Sequence, residues 1–128
     1  MSKFTSSHNK GFRMTFENGF SISVQWGVGN YCEKKHSGEW NEATKHDYWD
    51  SNSAEIAVFG KNGEFINISG YELEEDGTVK KVNDVVSGWL STDTVAKCIT
   101  IVQSATTKEE IETKIRALMI VKTVTIKR

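Results

Sequence analysis

Proline is absent from all 128 residues, so the turns must be made by glycine, asparagine and aspartate. Only two cysteines occur, Cys32 and Cys98, too few and too far apart for a disulfide framework. That usage fits a reducing compartment. Nowhere do about eighteen apolar residues run together, which excludes a membrane-spanning helix and predicts no membrane association. The first ten residues contain no apolar segment of the kind a secretory leader carries. An excess of one charge is also missing. Sixteen Lys and Arg stand against 17 Asp and Glu, a formal net charge of −1, so no general basic field attracts nucleic acid. Imbalance is only local, acidic over 61–90 and basic over 91–128.

What the chain does have is aromatic area and turn chemistry. Hydrophobic residues make up a modest 38 %, so four Trp, three Tyr and six Phe must supply much of the core. Phe12, Met14 and Phe16 alternate along one run, and Phe20, Ile22, Val24 and Trp26 along the next, with Glu17-Asn18-Gly19 between them. Alternation flanking Asn-Gly predicts a β-hairpin. Residues 54–59 and 64–68 repeat the pattern around Asn62-Gly63, and 78–82 reads as another short strand. Residues 72–77 read as an acidic turn, with Asp76-Gly77 as a third turn marker. Val85, Val86, Trp89 and Leu90 are expected to return to the core.

The period then changes. Val95, Cys98, Ile99 and Val102 form a helical stripe behind a Ser91 or Thr92 cap. Thr107-Lys-Glu-Glu110 matches a capping box ahead of Ile111, Ile115, Leu118 and Met119. The β-branched run 120–126 is poor helix material, which leaves it open between a final strand and an extension of the helix. The fold class expected is therefore α+β: an antiparallel β-sheet meander followed by two C-terminal helices packed on one face. Residues 1–10 read as a flexible N-terminal tail, and 11–128 as a single α+β domain with a long loop at 27–53.

That loop holds the candidate chemistry. Gly27-Val28-Gly29-Asn30 follows a strand, yet it lacks the third glycine, the helix and the Gly-Lys-Ser/Thr that phosphate loops need. It reads as a turn. Cys32, His36, His46, Asp47 and Asp50 are ligand types without a closed zinc spacing, so no metal and no other cofactor is expected. Cys32 with His36 or His46, oriented by Asn30, Asp47 or Asp50, would be a thiol nucleophile; a cysteine-dependent small enzyme is one alternative reading. No catalytic residue is assigned. Tyr31, Trp40, Tyr48 and Trp49 remain, in a segment too polar for ordinary core. Such residues either clamp a long loop to the sheet or anchor a partner protein, because they offer large rigid contact area. They are the candidate protein-binding residues. A nucleic-acid-binding accessory module is the other alternative, weakened by acidic neighbours such as Glu33, Glu39 and Glu42.

Three blocks carry a family resemblance over roughly residues 12–102. Asn18–Cys32 (NGFSISVQWGVGNYC), Ser53–Ala57 (SAEIA) and Val85–Ser91 (VVSGWLS), leading into Asp93–Ala96, resemble segments of small uncharacterised accessory proteins of tailed bacteriophages. Against that pattern, 33–50 looks like an expanded loop and the second helix like an addition. The resemblance implies a viral protein made in the host cytoplasm and transfers no activity. It implies a non-enzymatic protein that binds and blocks a bacterial host or defence protein. Separately, a homo-oligomer is a further partner class.

Overall fold

The computed structural model describes residues 2–69, 71–73, 76, 79–81 and 85–127. Along the chain run β1 (Lys3–Ser6), β2 (Gly11–Thr15), β3 (Ser21–Gln25), β4 (Ala54–Phe59), β5 (Phe65–Ile66), β6 (Tyr71–Leu73), β7 (Val79–Lys81) and β8 (Val86–Leu90). Two helices follow, α1 (Thr92–Ser104) and α2 (Lys108–Lys127). The strands β1 to β5 pair in sequence order, all antiparallel, and β8 also pairs with β4. β4 thus shares one edge between two partners: β8 along Ala54–Ala57 and β5 along Val58–Phe59. β6 and β7 form a separate two-stranded sheet.

Alternation sets the register. Phe12, Val24 and Ile56 lie opposite one another across β2, β3 and β4, as do Met14, Ile22 and Val58. A slip of one residue would turn all of these away from the core. Val95, Cys98 and Val102 of α1 and Ile111, Ile115 and Met119 of α2 complete the core over this face. Ile22, Ile56, Ile111 and Ile115 are fully buried, each worth roughly 1.5–3 kcal/mol relative to exposure. The fold is the expected α+β meander with its two helices on one face.

Both Asn-Gly hairpins are built alike. Gly19 N–H donates to Phe16 O and Gly63 N–H to Gly60 O, with Gly19 (φ 91) and Gly63 (φ 82) in the left-handed region. Each is a three-residue loop closed by a left-handed glycine, the form that matches strand twist at this length. Asn18 does more than turn. Its Oδ1 accepts from Phe20 N–H, and its Nδ2 donates to the carbonyls of Val102, Gln103 and Ala105 at 2.9, 3.1 and 2.9 Å. These carbonyls lie at the C-terminal end of α1, where Val102 O also accepts from Ala105 N–H, and a hairpin side chain therefore caps the helix. At the other end of α1, Ser91 Oγ accepts from Thr94 N–H. Thr107 Oγ1 accepts from Glu110 N–H as the capping box requires, but Glu110 reaches back to Thr106 N–H rather than to Thr107.

Several expectations are corrected. The N-terminal stretch expected as a mobile tail forms the edge strand β1, joined to β2 through Ser7–Lys10. His8 (φ 50) and Asn9 (φ 59) make that turn in left-handed backbone, which these residue types tolerate better than most. Residues 120–126, left open between a final strand and a helix extension, continue α2 to Lys127. Once a helix is nucleated each added residue gains a hydrogen bond, and a β-branched residue costs only a few tenths of a kcal/mol against that gain. The strand expected at 64–68 shortens to Phe65–Ile66, and Tyr71–Leu73 is strand where the acidic turn was expected to begin. The remainder of that turn, apart from Asp76, lies outside the described residues. Trp89, expected in the core, is 52 % exposed while its neighbour Leu90 is buried.

Candidate protein-binding loop

The 27–53 connection folds back on the sheet without a further hairpin; its one regular piece is a 3-10 turn at Glu42–Lys45. Its first residues form an asparagine-centred turn. Asn30 N–H donates to Gly27 O, Gly27 N–H donates to Asn30 Oδ1, and Asn30 Nδ2 donates to Glu55 Oε2 at 2.9 Å on β4. Gly29 N–H is engaged with Lys35 O. The amides a phosphate would need are thus already occupied.

The loop is held shut at its stem by two indoles. Trp26 Nε1–H donates to Trp49 O at 2.8 Å, and Trp49 Nε1–H donates to Trp26 O at 2.9 Å. This reciprocal pair satisfies both buried ends of two amphipathic rings. A second tie comes from the β1–β2 turn, where Asn9 Nδ2 donates to the carbonyls of Ala43 and His46 at 2.7 and 2.9 Å. Ala43 is buried beneath it. Glu42 accepts from His46 and Lys45, at 3.3 and 3.5 Å, and the His46 contact above all holds its carboxyl below the ordinary range.

The four candidate aromatics take different positions. Trp40 is 68 % exposed and Tyr48 78 %, whereas Trp49 is half-buried in the clamp. Lys34 Nζ stands 5.0 Å from the Trp49 ring centroid and 4.0 Å from Asp50 Oδ1. Tyr31 is exposed at its ring but fixed at its backbone, its carbonyl accepting from Trp89 N–H at 2.7 Å. Tyr31 Cβ sits so close to Gly88 that a Cβ there would meet it at 2.3 Å.

Sequence reasoning missed Trp89. A bulge sets Ala54 and Ile56 of β4 against Leu90 and Ser87 of β8, one residue out of step. Trp89 takes φ 57 there, a strain on the order of 1–3 kcal/mol for such a residue. The signal was a glycine inside a strand, Gly88, which marks a bulge or a close backbone approach.

The remaining candidate chemistry does not assemble. Cys32 is fully buried, its thiol donates to Gly27 O at 3.5 Å, and burial pushes its pKa up. Its other partners are the Lys34 backbone and Ser51, with no histidine among them. Cys98 is pushed up to about 12 by burial alone. The thiolate is the nucleophilic form, and both environments disfavour it. Among the described residues no three His, Cys, Asp or Glu side chains gather as metal ligands, and no helix is long and apolar enough to cross a membrane.

Two clefts flank the strap at Trp49 and Asp50. One, of about 390 Å³, is apolar and runs beneath the strap toward α1. The other, of about 420 Å³, is polar and lined by Lys34, His46, Asp47 and Tyr48 as well as the strap. Compared with known proteins, the chain matches no protein-family model, no curated protein and no solved structure.

Proposed function

We propose that this chain is a non-enzymatic binding protein that occludes a bacterial host or defence protein, with Trp40 and Tyr48 as its anchors. The observation that carries the reading is the exposure of these two large rings, 68 % and 78 %, on a loop tied down between them at Ala43 and His46 and just beyond Tyr48 at Trp49. Exposed Trp and Tyr dominate binding energy at interfaces, and a loop ordered before contact loses less entropy on binding. Tyr31 and Trp49 take supporting parts, the first beside β8 and the second as the clamp. The bacterial partner rests on the resemblance to phage accessory proteins, and the binding surface rests on the geometry.

The test is capture from nuclease-treated bacterial lysate by immobilised protein. Wild-type protein and Phe65→Ala, which alters an exposed ring elsewhere, should retain the same partner. The double variant Trp40→Ala/Tyr48→Ala should lose it while keeping its circular dichroism spectrum. Capture that persists in the double variant contradicts the assignment. Capture that disappears on nuclease treatment favours the nucleic-acid reading instead.

A further inference from the structure

The apolar cleft of about 390 Å³ beneath the strap lies in the range of roughly 300–1,000 Å³ that small-molecule sites occupy. Its walls include Phe12, Val24, Trp26, Trp49, Val95 and Ile99. Val24 and Val95 are buried, but the other four are only half-buried, so the wall presents apolar and π surface to whatever enters. Both indole N–H groups are engaged with each other's carbonyls, and the Ser51 and Ser53 hydroxyls are engaged within the loop.

Charge enters at the mouth. Asp50 lines the cleft with a side chain 85 % exposed, and among the described residues its one charged contact is Lys34 at 4.0 Å. Asp93, in the first turn of α1, adds a second carboxylate next to the lining residue Thr92. Together they outweigh the Lys34 ammonium and the partial charge of about +0.5 at that helix end. A cation already rests beside the same strap, where the Lys34 ammonium is shared between Asp50 and the Trp49 ring. Aromatic faces with a carboxylate are a combination that favours organic cations.

We propose that this cleft binds a small organic cation with an apolar body, an aryl- or alkylamine, its body against Trp26, Trp49 and Ile99 and its ammonium at Asp50. Charge complementarity selects the class: a carboxylate ligand meets the lining carboxylate of Asp50, and a neutral one of equal size gains the walls without an ion pair. The site is separate from the Trp40 and Tyr48 surface, so either can fail without the other.

The probe is 2-phenylethylamine, with 2-phenylethanol as its neutral counterpart, titrated into ¹⁵N-labelled protein while the indole N–H signals of Trp26 and Trp49 are followed. The amine should shift both signals saturably and bind about two- to fivefold more tightly than the alcohol, the size of an exposed ion pair. Asp50→Asn should bring the amine down to the alcohol's affinity and leave the alcohol unchanged. Ala96→Phe, at an exposed α1 position that lines the cleft, should abolish binding of both. The proposal is overturned if the amine gives no saturable shift, if native protein binds amine and alcohol equally, or if Ala96→Phe leaves both affinities intact.

Discussion

Asn18 is the residue on which two parts of the fold meet. Its place in an Asn-Gly turn is legible from sequence, because turn chemistry is local. Its second role is not, because the carbonyls it caps are more than eighty residues away. Asn18→Ala should remove three acceptor contacts and one turn contact together. The expected loss is about 1–2 kcal/mol in urea unfolding, the scale of a helix cap or a pair of hydrogen bonds, whereas a residue acting only in the turn would lose a few tenths. At Glu110 the charge environment is local too. The Lys114 ammonium first, and the Thr106 amide second, hold its carboxyl down to about 2 from an ordinary 4.5. A carboxylate more acidic in the folded state contributes stability above about pH 4.5 and loses it as pH falls toward 2. Glu110→Gln should therefore flatten the decline of the unfolding midpoint between pH 4.5 and 2, leaving the pH dependence above 5 as it was.

Among elements, the legible ones are those whose pattern repeats within a few residues. The hairpin around Asn18-Gly19, the strand at 54–59, the Ser91 cap and the Thr107 capping box all carry their own instructions. β1 does not, since Lys-Phe-Thr-Ser has no apolar alternation and is held by its pairing with β2. The end of α2 goes the other way, with hydrogen-bond propagation overriding β-branched preference. The 27–53 loop lies between these cases. Its composition predicts aromatics that either clamp or anchor, and only the fold divides them: Trp49 clamps, while Trp40 and Tyr48 face outward. Trp49→Ala should thus remove two indole–carbonyl bonds and half-buried ring contacts, at a cost of about 2–3 kcal/mol. Thermal or urea unfolding checks this, and amide exchange across 27–53 should rise in the same variant. Unchanged stability would mean the reciprocal bonds do not hold the loop.

At the scale of the whole molecule, a sheet covered by helices on one face supplies a rigid platform, and the loop between its two central strands supplies the surface. The formal charge of −1 supplies no general basic field, no helix among the described residues is long and apolar enough to cross a membrane, and the buried thiols of Cys32 and Cys98 disfavour cysteine chemistry. The apolar cleft beneath the strap had no sequence signal, because its walls come from β2, β3, β4, β8, α1 and the loop and meet only in three dimensions. The account depends on the Trp40 and Tyr48 rings being dispensable to the fold, and urea unfolding of Trp40→Ala/Tyr48→Ala beside the native protein tests that directly. The loss should stay within about 0.5 kcal/mol for Tyr48, as for surface changes, and about 1 kcal/mol for Trp40, whose ring meets the His8 ring edge-on at 6.5 Å; a total loss of about 3 kcal/mol or more, the truncation of a buried aromatic, would make the rings part of the core and contradict the account.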